Sequence, residues 1–354
     1  MPENTSITLQ NYSIEIGNAA RLLNALISKG SYTSIFVLVD ENTKKHCLPA
    51  LGLNNFKGTI QIKSGEQFKT LESCQQIWDE LFTLQADRKS LLINLGGGVI
   101  GDMGGFCAST FKRGFKFVQI PTTLLAQVDA SIGGKLGIDY NGLKNAVGLF
   151  QNPVQVIIDP DFFISLPKSE ILSGFAEVLK HALIDSETHW QNIKKVDLDN
   201  ADWHQIVHQS LLVKKRIVEI DPYEENLRQS LNLGHTVGHA IEAFSLKNDQ
   251  QPLLHGHGVA LGILIENFIA KNLLGFPENQ RIDIENFILK NYPYYPISQQ
   301  NIDAIMHFMR NDKKNKQGKI KMSLLKHIGQ AETNITVSEN LILKAINQYQ
   351  KLGN

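Results

Sequence analysis

Along the first half of the chain, short β-branched runs alternate with stretches whose apolar residues recur at helical spacing. Residues 35–39, 59–62, 90–95 and 115–120 read as buried strands, and 154–158 closes the set. Between them, residues 68–84 carry Leu71, Ile77, Trp78 and Leu81 at helical spacing. This alternation predicts an α/β domain with a mostly parallel, Rossmann-like sheet covered by helices. Such sheets bind ligands at the carboxyl ends of their strands, often where strand order reverses.

After Pro160 the texture changes. Residues 170–184, 203–220, 230–244, 258–274 and 302–309 all have helical periodicity, and strand signals nearly vanish until 319–325. The expected organisation is an N-terminal α/β domain over 1–159 and an all-α C-terminal domain over 160–354. A cleft between two such domains is the default place for a substrate.

At 354 residues the chain exceeds the size at which a single core stops growing, in keeping with two domains. With 35 basic and 35 acidic side chains the formal charge is zero, so no global field draws it to nucleic acid or an anionic membrane. The richest apolar stretch, 258–276, is interrupted by Glu266 and Lys271 and falls short of the roughly 18 residues that span a bilayer. Cys47, Cys74 and Cys107 are odd in number and form no CxxC pair, which reads as reduced thiols. No secretory signal is recognisable over 1–10. A cytoplasmic enzyme is the expectation.

Asn94-Leu-Gly-Gly-Gly-Val-Ile-Gly-Asp102 follows a strand and opens a helix, and Gly96, Gly98 and Gly101 match GxGxxG. Glycines let a backbone approach a pyrophosphate, and the helix start favours an anion. The same pattern also makes a plain strand-to-helix turn, and no acidic residue follows about 20 positions on. Farther along, His235 and His239 lie four apart in a helical stretch, followed by His255 and His257, while Glu177 sits on another helix beside Lys180 and His181. One carboxylate and two imidazoles leave a coordination position open, as a catalytic metal requires. Hydrogen-bonded core histidines would give the same pattern. Arg113, Lys135 after two glycines, Lys144 before Asn145, and Arg228 are cations in constrained places, which suits a phosphorylated or carboxylated substrate.

Ser64-Gly-Glu-Gln-Phe-Lys69, Gly96 through Asp102, Gln119 through Ala126, Asp129 through Lys135, Lys144-Asn145, Gly174 through Lys180, Asn232 through Glu242, and Asp312-Lys-Lys314 occur in one order along the chain. In that order they resemble the 3-dehydroquinate synthase family, the cyclising enzymes of the shikimate pathway. The resemblance implies NAD, one zinc or cobalt ion, and a homodimer. It assigns the metal to Glu177, His235 and His255. It assigns NAD to Glu66, Lys69, Gly97, Gly98, Val99, Gly101, Asp102, Thr122, Thr123, Lys135, Lys144, Phe162 and Ser165, with Asp40 and Asn42. The substrate pocket would take Asp129, Lys135, Asn145, Lys180, Lys214, Arg228, Asn232 and His239, with Lys313 or Lys314. Arg113 would reach the neighbouring subunit's phosphate site.

The implied reaction converts a seven-carbon phosphorylated keto sugar acid (DAHP) to 3-dehydroquinate plus phosphate. Its stages are transient oxidation by NAD, elimination, re-reduction and aldol closure, so the chain would be a lyase. Alternatives on the same scaffold are another sugar-phosphate cyclase and a metal-dependent polyol or glycerol phosphate dehydrogenase. One departure is His257, where the family usually has Glu.

Overall fold

The structure, a computed structural model, describes residues 4–141, 143–310 and 319–353. Asp312, Lys313 and Lys314 lie outside the described residues. Two compact units are present: Met1–Ile171 with Asp202–Lys215, and Leu172–Ala201 with Arg216–Asn354.

The first unit contains β1 (Thr5–Thr8), β2 (Ser13–Ile16), α1 (Ala19–Lys29), β3 (Ile35–Asp40), α2 (Glu41–His46), β4 (Gly58–Ile62), α3 (Leu71–Thr83), β5 (Leu91–Gly96), α4 (Gly98–Thr110), β6 (Lys116–Pro121), β7 (Lys135–Tyr140), β8 (Leu143–Phe150) and β9 (Gln155–Ile158). Seven strands form one sheet in the order β1-β2-β9-β6-β5-β3-β4. Only the β1–β2 pair is antiparallel. Both faces of the sheet are buried, so successive residues of one strand enter different cores. Phe36 and Leu38 join Ile77, Leu81 and Met103 on one side, whereas Val37 and Val39 join Leu23, Leu51 and Ile93 on the other. That double burial makes the central strands continuous apolar runs. Each such buried side chain contributes about 1.5–3 kcal/mol.

β9 lies between β2 and β6 rather than at an edge, because the N-terminal strands add outside it. β7 and β8 form a separate antiparallel hairpin with a register shift between Ile138 and Tyr140. After β4 the chain returns to the other side of β3 to form β5, so the strand order reverses between β3 and β5.

α5 (Lys168–Asp185) starts in the first unit and runs into the second, followed by α6 (Glu187–Ile193). α7 (Trp203–Ile220) likewise begins in the first unit and ends in the second. The second unit continues with α8 (His235–Asn248), α9 (His255–Leu274), α10 (Glu278–Asn291), α11 (Ile302–Arg310), β10 (Ile320–His327), β11 (Gln330–Val337) and α12 (Glu339–Lys351). It is helical, with β10 and β11 paired as one antiparallel hairpin. No helix among the described residues is long and apolar enough to cross a membrane.

The periodicity over 230–244 predicts one helix, but the structure divides it. Leu227–Asn232 is a 3-10 turn, Gly234 adopts φ +78°, and α8 begins at His235. Left-handed backbone of this kind is open to glycine at little steric expense. α8 and α9 then pack backbone to backbone. A Cβ on Gly262 would fall 1.8 Å from the Gly234 carbonyl oxygen, and one on Gly238 would fall 2.6 Å from that of Gly258. Since Gly234 offers no side chain, the cap of α8 comes from its neighbour. The fully buried Glu266 of α9 accepts from the Gly234 N–H at 2.6 Å and the Val237 N–H at 3.1 Å. A carboxylate there also complements the positive end of the helix dipole.

Candidate functional site

In the first unit, the carboxyl ends of β3, β5 and β6 bring Asp40, Gly96 and Pro121 to one edge of the sheet, beside the point where strand order reverses. Gly97 caps α4 without a side-chain hydrogen bond, leaving the first N–H groups of that helix available to an anion. A pocket over this turn is lined by Gly96, Gly97, Gly98, Gly101 and Asp102, with Pro121 and Ser131 facing them. A Cβ on Gly97 would lie 3.3 Å from Thr123 Cγ2, so a side chain would fill the cradle. These features fit a dinucleotide. Val99 packs against the apolar core beneath. Thr122 is buried, its N–H donating to the Gly96 carbonyl at 3.0 Å, and the Thr123 hydroxyl accepts from the Ala126 N–H at 3.1 Å.

Beside the cradle lies a polar network. Lys69, 4% exposed, donates to Asp102 Oδ2 at 2.5 Å and to Asn145 Oδ1 at 2.6 Å. Burial opposes the ammonium, but Asp102 and Glu66 outweigh it and hold Lys69 above the ordinary lysine range. Lys144 pairs with Glu66 at 3.6 Å. Asn145 adopts φ +50°, and its N–H donates to Asp139 Oδ1 at 2.7 Å. The resemblance assigns Asn145 to the substrate, yet here its amide oxygen joins residues assigned to NAD. Asp139 has no assigned role.

Other predicted residues are placed as follows. Asp129 lies in a π-helical turn, Ala126–Ala130, and Lys214 donates to its carbonyl and, at 2.8 Å, to its Oδ1. Single π turns recur at functional sites. Lys135 is exposed at the start of β7, after Gly133 and Gly134, both at positive φ. Arg113 is exposed at φ +69°, directly after Lys112 at φ +50°. Asp40 caps α2 by accepting from the Thr43 N–H at 2.7 Å, and Asn42 is exposed in the first turn of that helix. Phe162 is 6% exposed in the apolar core, and the Ser165 hydroxyl donates to its carbonyl at 3.3 Å.

In the second unit, Glu177 of α5 is fully buried. His235 Nε2 and His255 Nε2 each lie 3.4 Å from its Oε1, and Lys180, one turn on, pairs with Oε2. His235, His239 and His255 each offer a ring nitrogen within 4.8 Å of the others. Donors about 2.0–2.1 Å from a tetrahedral ion sit about 3.4 Å apart, the separation found on both sides of Glu177. One carboxylate oxygen with imidazole nitrogens is also the donor set that zinc and cobalt accept. The residues fit a divalent metal. The pair four apart, His235 and His239, is joined here by His255, and it is His255 that shares the Glu177 oxygen with His235.

His255 opens α9. Its backbone is fixed because the Gly256 N–H donates to Ser173 Oγ at 3.0 Å, and a Cβ on Gly256 would meet the Ser173 carbonyl at 1.8 Å. Burial works against a charged His255, but Glu242 and Glu177 on its two sides hold the imidazole proton up to about 10. A cation must therefore displace that proton. His257 stands apart, its ring edge-on to Tyr292 at 5.7 Å, and burial keeps it below the ordinary histidine range. Arg228 is buried, its backbone N–H donating to Asp221 Oδ2 at 3.0 Å, and Asn232 donates to Glu224 Oε1 at 2.6 Å. Glu224, Glu242 and Glu266 escape the sequence reading. The spacing of Glu242, seven after His235 and three after His239, was the available signal.

Residues 59–173 match the profile described as 3-dehydroquinate synthase N-terminal, and residues 174–315 match 3-dehydroquinate synthase C-terminal. A 3-dehydroquinate synthase from Parabacteroides distasonis is 42% identical over 335 residues, covering 93% of this chain and 95% of that one. Among solved structures, a 2-deoxy-scyllo-inosose synthase complexed with carbaglucose-6-phosphate, NAD+ and Co2+ has TM-score 0.83 at 21% identity, covering 98% of this chain and 99% of that one. A 2-epi-5-epi-valiolone synthase from Streptomyces hygroscopicus subsp. jinggangensis, with NAD+ and Zn2+ bound, has TM-score 0.81 at 22% identity, covering 98% and 99%. Those two likenesses establish the fold, and the matched profiles together with the relative establish that the chain belongs to the 3-dehydroquinate synthase family.

Proposed function

We propose that this protein is a lyase that converts 3-deoxy-D-arabino-heptulosonate 7-phosphate (DAHP) to 3-dehydroquinate and phosphate. In this reading residues 1–159 serve NAD and residues 160–354 serve the metal and substrate. Zinc or cobalt fills the metal site, and the protein works as a cytoplasmic homodimer with Arg113 reaching the partner's site. The observation that carries the reading is the shared approach of His235 and His255 to one buried oxygen of Glu177. Family membership at 42% identity supports the substrate.

When bound, a divalent ion there would supply Lewis acidity and NAD a reversible hydride acceptor. The chain's own groups hold charge. Glu177, His235 and His255 form the metal site, and Lys180 keeps a cation beside it in a buried place. Lys214 in the first unit, and Lys180 and Arg228 in the second, are cations suited to the carboxylate and phosphate of the proposed substrate, whose charge a low-dielectric site excludes unless it is paired. Asp129 beside Lys214 in the first unit, and Asn232 and His239 in the second, add hydrogen-bonding groups. Lys69 and Asp102 stiffen the glycine turn that receives the dinucleotide.

The test is phosphate release from DAHP by purified protein, with and without NAD and a chelator. Release that needs both, with no net NADH, is expected. Steady NADH accumulation would indicate a dehydrogenase, and release from a different sugar phosphate in preference to DAHP would indicate another cyclase.

A further inference from the structure

The two imidazoles beside Glu177 are oriented by different outer partners. His235 Nδ1 lies 3.0 Å from the Leu233 carbonyl, and His255 Nδ1 lies 3.3 Å from Glu242 Oε2. A carbonyl only accepts, so Nδ1 of His235 carries its hydrogen and Nε2 turns a lone pair toward Glu177 once the ring is neutral. Glu242, 7% exposed on the face of α8 that carries His235 and His239, imposes the same tautomer on His255. The backbone of His255 is already locked by Gly256 and Ser173, which leaves ring orientation and tautomer as the freedom that Glu242 removes. Because its acceptor is a carboxylate rather than a carbonyl, His255 becomes the more basic of the two donors.

We propose that Glu242 is a positioning residue for a divalent cation, fixing His255 with Nε2 inward and strengthening it as a donor. This rests on the metal reading above. In this reading Glu242 acts on the ion through His255, whose Nδ1 it faces at 3.3 Å.

The experiment measures Zn2+ affinity by chelator competition for the wild type, Glu242→Ala, Glu242→Gln and Glu177→Ala, with the optical spectrum of the Co2+ form alongside. Outer-shell partners of metal-bound histidines affect affinity by about 10–100-fold. Glu242→Ala should weaken binding within that range and alter the Co2+ spectrum. Glu242→Gln, whose amide oxygen accepts the same hydrogen, should recover part of the loss and keeps the test decisive if the alanine variant folds poorly. Glu177→Ala should bind far more weakly than either. A merely structural Glu242 would lower the melting temperature equally with and without metal and leave affinity unchanged. That result, with Glu177→Ala still defective, overturns the proposal. Wild-type affinity in Glu177→Ala overturns the metal reading, and this inference with it.

Discussion

Gly262→Ala tests whether the contact between α8 and α9 sets the geometry of the histidine cluster. The added methyl would lie 1.8 Å from the Gly234 carbonyl oxygen and 2.8 Å from the Gly238 nitrogen, both backbone atoms that cannot rotate aside. Ordinary contact begins near 3.4 Å, so the helices must part by about 1.6 Å at this point. Overpacking of this kind costs about 1–3 kcal/mol. The same movement stretches the two hydrogen bonds from Gly234 and Val237 to Glu266, and bonds to a charged group contribute about 1.5–3 kcal/mol each. Alanine's better helix propensity returns about 1 kcal/mol. With about half of that hydrogen bonding lost, the net destabilisation is about 1.5–5 kcal/mol, a fall in melting temperature of about 3–20 °C. Because His235 follows Gly234 directly, its ring moves away from Glu177, and a misplacement near 1 Å lowers turnover about 100-fold. Thermal unfolding, zinc competition and phosphate release check this, with the exposed Leu273→Ala on the same helix as a control. A Gly262→Ala protein that melts and binds zinc like the wild type would refute the reasoning.

Lys180→Met keeps the apolar stem and removes the ammonium beside Glu177; phosphate release should fall at least about 100-fold with unchanged circular dichroism, and full activity would exclude a role for Lys180. Asp139→Ala frees the Asn145 backbone from its hydrogen bond at φ +50°. One such bond is about 1–1.5 kcal/mol, so the dissociation constant for NAD, measured by calorimetry, should rise about tenfold, and no change would detach Asp139 from the cradle. Arg281 and Lys271 hold the Glu278 carboxyl down from 4.5 to about 2. A depressed folded pKa stabilises above the unfolded value and is lost as pH falls through the folded one. With side chains 45% and 48% exposed, Glu278 and Lys271 make a pair that contributes less than about 1 kcal/mol. In urea titrations the gap between wild type and Glu278→Gln should be small at pH 7 and close between pH 4.5 and 2; a gap that persists at pH 2 contradicts the assignment.

How much was legible depended on burial. β3, β5 and β6 are buried on both faces, so their apolar runs are unbroken and readable. β1 and β2 have four residues each, interleaved with Thr, Ser and Glu, and carry too few apolar positions for a pattern to rise above chance. β8 is exposed along most of its length, and two of its eight residues are Asn145 and Gly148, so neither alternation nor a run marks it. The site divides in the same way. Glu177, His235 and His255 are recognisable because their side chains and motif neighbours are chemically distinctive. What aims them is backbone geometry: the left-handed turn at Gly234 and the glycine contacts between α8 and α9. No periodicity encodes these, since a glycine at a close approach looks like a glycine in a loop.

Glu266 makes the point most sharply. Along the chain it interrupts an apolar stretch, and a charge in such a place reads as a polar break on a solvated face. In the fold it is fully buried, and both carboxylate oxygens accept from the start of the helix that carries His235 and His239. An isolated buried carboxylate is expensive to desolvate, so its place in the interior requires donors that repay it. Here the donors are the unsatisfied N–H groups of α8, which have no side-chain cap of their own because the left-handed turn demands glycine. The turn, the missing cap and the buried acid are therefore consequences of one another. The same helix start that brings His235 to Glu177 makes a carboxylate in the middle of α9 necessary.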